Sequence, residues 1–126
     1  MIGAGTRVTG LIGWPVAHSL SPAMHNAAFE ALGLDWCYVA LPVRPENLAA
    51  AIAGLPALGF AGVNVTVPHK KAVLPYLHHL SPEVRSLGAA NTVAVREDEA
   101  GRPVLLGLNT DHTGLIQALR EASVEV

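Results

Sequence analysis

The sequence predicts an α/β domain: an open, mostly parallel, twisted sheet with helices on both faces and an antiparallel hairpin at the edge. Three observations carry this. Short apolar runs alternate with alanine-rich segments of helical spacing, as in strand–helix–strand units. Gly62 to Val67 reads as a near-continuous apolar run, expected of a parallel strand covered on both faces. Asn91 to Arg96 and Val104 to Leu108 are separated only by the charged stretch Glu97 to Arg102, too short for a crossover, so they form a hairpin. A chain of 126 residues makes a single domain.

Taken in order, Val8 to Gly13 is a first strand. Ser21-Pro22 reads as N-cap and first helical residue, and Met24, Ala27, Ala28, Ala31 and Leu32 give a helix ending at Gly33. Trp36 to Leu41 is a second strand. A second helix runs from about Pro45 through the alanine run and stops at Gly54. Gly62 to Val67 is the third strand, ended by Pro68, and a short helix disturbed by Pro75 follows. Ser81-Pro82 repeats the cap-and-proline start for a helix ending near Gly88. After the hairpin, Thr110 or Asp111 opens a last helix through Leu115, Ile116 and Leu119.

Composition narrows the function classes. Hydrophobic residues make up 51% and charged residues 14%, against roughly 25% charged in ordinary soluble domains. So apolar a chain predicts a surface covered by another domain or subunit, and self-association as a homodimer. A formal charge of −2 gives no electrostatic footprint for nucleic acid or an anionic membrane. No apolar run has the length of a membrane span, and no secretion signal precedes the first strand. Cys37 is the only cysteine, which excludes an internal disulfide and a cysteine-rich metal site; it reads as a small buried hydrophobe in a reducing, cytoplasmic setting. His18, His25, His69, His78, His79 and His112 show no metal-binding spacing and read as structural or solvent-facing. No metal site is expected.

The only two lysines, Lys70 and Lys71, are adjacent, while Arg7, Arg44, Arg85, Arg96, Arg102 and Arg120 supply all other permanent positive charge. A primary amine can give up its proton near neutral pH when its surroundings help, and guanidinium cannot. Lys70 therefore reads as a functional amine at a strand's C-terminal end or in a helix's first turn, and Lys71 as solvation of the turn. Gly3-Ala4-Gly5 with Gly10 imitates half a dinucleotide fingerprint, but a true one follows a strand and opens a helix. These glycines read as a frayed terminus.

His18-Ser19-Leu20-Ser21-Pro22 joins a strand end to a helix start, where α/β sheets bind ligands and amides favour anions. Ser21 could accept from helix amides while donating its own proton to a carboxylate, but taken alone an ordinary N-cap at Ser21 and a loop hydroxyl at Ser19 are the better explanation. Asn109-Thr110-Asp111 lies at another such junction. Asp111 is either a cap or the carboxylate that keeps Lys70 charged and aimed. Asn91-Thr92, after Gly88-Ala89-Ala90, places an amide side chain where small residues allow close approach. Four strand ends thus offer hydroxyl, amide, amine or carboxylate groups, which suits a small polyhydroxylated acid.

Four segments, Ala17 to Pro22, Asn64 to Lys70, Gly88 to Thr92 and Gly107 to Asp111, together resemble the substrate-domain motifs of shikimate dehydrogenases, in the family's order and at about its spacing. The resemblance implies NADP-dependent, reversible reduction of 3-dehydroshikimate to shikimate in aromatic amino acid biosynthesis. It implies Lys70 as the catalytic lysine and Asp111 as its partner carboxylate. Ser19 and Ser21 match the hydroxyls that bind the substrate carboxylate; Asn64, Thr66, Asn91 and Asp111 match positions around the ring hydroxyls. His69 stands where phenylalanine is frequent in the family, and Leu108 and His112 where aspartate and glycine are frequent. The family continues into an NADP-binding domain with a glycine-rich turn, and this chain is expected to be the substrate domain alone, inactive without it. The competing reading, from another class, is a non-redox module that binds a shikimate- or quinate-like acid; a pure binder has little need of the Lys70–Asp111 pair.

Overall fold

The computed structural model describes residues 1–110. Its strands are β1 (Arg7–Gly13), β2 (Trp36–Pro42), β3 (Phe60–Val65), β4 (His79–Leu80), β5 (Thr92–Glu97) and β6 (Pro103–Leu108). Its helices are α1 (Ser21–Ala31), α2 (Leu48–Ala57) and α3 (Pro82–Leu87), with single 3₁₀ turns at Pro45–Asn47 and Leu74–Tyr76. The strands form one sheet in the order β2-β1-β3-β5-β6-β4. β1 runs parallel to β2 and β3, and β4 parallel to β6, while β5 is antiparallel to both its neighbours. The fold class is as expected, with one addition. The two-residue strand β4 lies outside the hairpin and was not legible, since a ladder that short carries no periodic signal.

Helices cover the two faces separately. On one face α2 contributes Leu48, Ile52 and Leu55 to a core with Ile12, Val63, Val65 and Val93. On the other, Phe29 of α1 packs with Leu11, Tyr38 and Ala94. The register sets Leu11, Asn64, Thr92 and Leu108 side by side across four strands, and Gly10, Val63, Val93 and Gly107 in the next row. Neighbours in a row share a face, and successive rows alternate faces. β3 is therefore an alternating strand: Val63 and Val65 enter the α2 core, whereas Asn64 shares the α1 face with Leu11 and Leu108. It spans Phe60–Val65, two residues earlier than the apolar run suggests. Gly10 is required by close approach, because a Cβ there would stand 2.7 Å from the Val39 carbonyl oxygen and 2.8 Å from Leu41 Cδ1.

Several ends differ from expectation for local reasons. The region from Pro45 begins as a 3₁₀ turn, and α2 passes Gly54 to Ala57, admitting Pro56 in its last turn. Ser81 is an N-cap as expected, accepting from the Val84 amide at 3.3 Å, and α3 closes on Gly88 at φ 69°. Gly3 to Gly5 is a turn tied by the Gly3 amide to Thr6 Oγ at 2.8 Å, and Thr6 in turn donates to Asp35. Cys37 is half-buried rather than buried. His78 is structural: its Nδ1 accepts from the Leu105 amide at 2.8 Å on the outer side of β6. The helix expected from Thr110 or Asp111 lies outside the described residues. Among those described, no helix is long and apolar enough to cross a membrane, and no cluster of side chains could hold a metal ion.

Candidate functional site

Because β1, β2 and β3 are parallel, Gly13, Pro42 and Val65 end at one edge of the sheet. β5 is antiparallel and starts there with Thr92, and β6 ends there with Leu108. The chain after β1 and the chain after β3 meet at this edge. Ser19, Ser21 and Thr66, with His18, line a cavity of about 290 Å³ floored by Leu11 and Val16. Gly13 permits this meeting, since a Cβ on it would collide with Thr66 Cγ2 and with Val16 Cγ1. A larger open groove of about 1170 Å³ lies at the opposite end of the sheet, where Arg7 and Phe60 begin β1 and β3; it contains none of the candidate site residues.

A polar network continues from the cavity along the α1 face. The Ser21 hydroxyl hydrogen-bonds that of Tyr38, which donates to Asn64 Oδ1 at 2.9 Å. Asn64 Nδ2 donates to Thr92 Oγ at 3.1 Å, and Asn91 Oδ1 accepts from Thr92 Oγ at 3.1 Å and from the Thr110 amide at 2.8 Å. Four of the strand-end segments are thereby joined. One expectation is corrected: Ser21 is not the N-cap of α1. The helix begins at Ser21, its cap position is Leu20, and the Ser21 amide donates to Ser19 Oγ at 3.1 Å. With Ser19 serving the amide, the Ser21 side chain is left to meet Tyr38.

Lys70 lies in a turn between β3 and the Leu74–Tyr76 3₁₀ turn, not in a helix. Main-chain bonds tie that turn to β1 and to the segment before β5. Thr66 N donates to Ile12 O at 2.9 Å, His69 N to Thr66 O at 2.9 Å, and Ala90 N to Lys70 O at 2.9 Å. The side chains of Lys70 and Lys71 are both exposed. Asp111, and with it the Lys70–Asp111 pairing, lies outside the described residues.

The profile of the shikimate dehydrogenase substrate binding domain matches residues 11–93, the stretch that builds this edge. The chain belongs to that family. It is 64% identical over 115 residues to a shikimate dehydrogenase (NADP(+)) of Geobacter sp. strain M21, covering 91% of this chain and 38% of that protein. A crystal structure of shikimate 5-dehydrogenase from Listeria monocytogenes in complex with shikimate and NAD superposes with a TM-score of 0.80 at 43% identity, covering 97% of this chain and 40% of that one. The ligand-free 5-ketofructose reductase of a Gluconobacter strain has the same fold, with a TM-score of 0.80 at 36% identity over 94% of this chain and 41% of that one. The chain thus spans about two-fifths of the length of the relatives it matches.

The first strand-to-helix junction of this substrate-binding domain does not fit a dinucleotide. Its strand-to-helix turn after β1 carries Trp14-Pro15 and two serines in place of glycines, and the Ser21 amide that could meet a phosphate is bonded to Ser19. The cavity of about 290 Å³ has room for a small ring and not for a dinucleotide. Two contributors to the network, Tyr38 and Asn26, were missed in the sequence. Tyr38 is 2% exposed, and burial drives its phenol far above the ordinary range, the Ser21 hydrogen bond lowering it only in part. It therefore stays a neutral donor toward Asn64. His25 stacks on its ring at 4.2 Å. Asn26 brackets its main chain, Nδ2 donating to Tyr38 O at 2.9 Å and Oδ1 accepting from Tyr38 N at 2.8 Å. The available signal was a tyrosine within an apolar strand, since a buried hydroxyl needs a partner.

Proposed function

We propose that this domain holds shikimate and 3-dehydroshikimate at the strand ends and supplies the proton transfer for their NADP-dependent interconversion. Ser19 and Ser21 bind the carboxylate, and Asn64, Thr66, Asn91 and Asp111 bind the ring hydroxyls. The Lys70 ammonium gives its proton to the carbonyl oxygen as the ketone becomes an alcohol, and the amine recovers it in reverse; Asp111 keeps the ammonium charged and aimed. The hydride is the cofactor's chemistry, and its binding belongs to the length of the relatives that this chain does not span. The observation carrying the reading is the meeting of Ser19, Ser21 and Thr66 on one ring-sized cavity, joined through Tyr38 to Asn64 and Asn91. The cytoplasm is the setting this reading implies. Homodimerisation belongs to the same proposal, supported by Leu20 and Met24, 74% and 66% exposed on and beside α1; a clean monomer by sedimentation at high concentration would remove it.

Calorimetric titration of the chain with shikimate tests the reading. The expected result is one site, abolished in a Ser19→Ala, Ser21→Ala double variant, and no turnover when NADP+ is added, because the turn after β1 among the described residues is not built to orient a dinucleotide. No binding at millimolar shikimate overturns it. The fold shared with 5-ketofructose reductase favours one second reading, a polyhydroxylated ketone lacking the carboxylate. Binding of 5-ketofructose that survives the double serine variant would select that reading.

A further inference from the structure

His69 is a buried titratable side chain that the proton transfer above does not use, and it directly precedes the proposed catalytic lysine. It is 1% exposed, and its Nε2 lies 2.7 Å from the Val43 carbonyl oxygen. A carbonyl only accepts, so Nε2 carries the proton. The Val43 amide in turn donates to Gly13 O at 3.0 Å. Val43, just past β2, is thus a bridge between the end of β1 and the lysine turn.

The same turn is reached by a second route. Trp14 N donates to Val67 O at 3.2 Å, and the Arg44 guanidinium stands 4.9 Å over the Trp14 ring. The lysine turn, His69, Val43, Arg44, Trp14 and Val67 therefore form a closed circuit. Main-chain bonds tie the turn to β1 through Thr66 and to the start of β5 through Ala90. On the β2 side, the described hydrogen bond is that of the imidazole.

We propose that His69 is a positioning residue for Lys70: its hydrogen bond to Val43 holds the lysine turn against the end of β2 and so sets where the amine stands. This rests on the substrate reading above only for its consequence on ligand binding. The competing explanation is that the ring merely fills space, as a phenylalanine would at this position. His69→Phe separates the two, because it keeps an aromatic ring and removes the donor, leaving the Val43 carbonyl unpaired.

The experiment uses this chain, with backbone ¹⁵N relaxation and lysine-selective ¹³C labelling. Having only two lysines, the labelled protein reports Lys70 with Lys71 beside it as internal control. In ligand-free wild type the Lys70 amide is expected near a rigid order parameter of about 0.85, falling below about 0.6 in His69→Phe, with the core strands unchanged. On titration with shikimate, His69→Phe is expected to raise Kd about tenfold, on the scale of one lost positioning contact. It should also shrink the ligand-induced shift of the Lys70 Cε signal. His69→Gln, whose amide can donate to Val43, is expected to recover both, and it decides the matter if His69→Phe does not fold. Unchanged Lys70 order and unchanged affinity in His69→Phe overturn the proposal, as does failure of His69→Gln to recover either. If wild type does not bind shikimate, the substrate reading falls, and the ligand-free order parameters still decide the role of His69.

Discussion

Replacing Tyr38 by phenylalanine removes one oxygen from the centre of the polar network and leaves its surroundings intact. The ring stays in the α1 core, stacked on His25, and the Asn26 bonds to the main chain are untouched. What is lost is the donor to Asn64 Oδ1 and the acceptor for Ser21. Orphaning a buried acceptor costs about 1–3 kcal/mol, and because Asn64 is only half-buried the low end, about 1 kcal/mol, applies at neutral pH. The alkaline range makes the test sharper. The folded phenol is raised above its unfolded value, so its contribution is fully present below the unfolded pKa and is lost as pH rises toward the folded one. With an unfolded value near 10, that loss is about 1.4 kcal/mol by pH 11 and negligible at pH 9. Groups common to both proteins cancel in the difference. Urea unfolding followed by circular dichroism should therefore find Tyr38→Phe less stable by about 1 kcal/mol at pH 8 and no less stable than wild type at pH 11. A stability gap that is absent at pH 8, or that does not close by pH 11, refutes the account of this hydroxyl.

In a longer protein pairing this domain with a nucleotide-binding domain, Lys70→Ala should lower kcat by a factor of at least about a hundred with a much smaller change in KM. Lys71→Ala should be near neutral there, and steady-state kinetics showing the reverse would place the site one residue off. Gly13→Ala drives a methyl group into Thr66 and Val16, so a loss of about 1–3 kcal/mol by urea unfolding is expected. Its shikimate affinity, measured by calorimetry, should fall with it. Asn26→Ala bares the Tyr38 amide and carbonyl on the outer side of β2, an edge strand. Sedimentation should show increased self-association in that variant, as an unprotected strand edge invites.

Elements with a local cause were legible in the sequence. Ser81-Pro82 capped α3 and Gly88 closed it because capping is settled within one turn of chain. The strands that carry the site were found within a residue or two from their apolar runs; strand-to-helix order pointed to the Ser19–Ser21 junction, while Asn64 and Thr66 were singled out only through the family resemblance. The direction in which a side chain points was decided only by tertiary structure. Asn64 turns to the α1 face because β3 pairs with β1 and β5 in one register, and a slip of one residue would put it in the α2 core in place of Val63. Tyr38 joins Ser21 to Asn64 across residues far apart in the chain, and His69 reaches Val43 across another such separation. Hydrogen bonds of this kind depend on distances between elements, which no local spacing encodes. The residue types of the site could thus be read in one dimension, and the partners that hold them only in three.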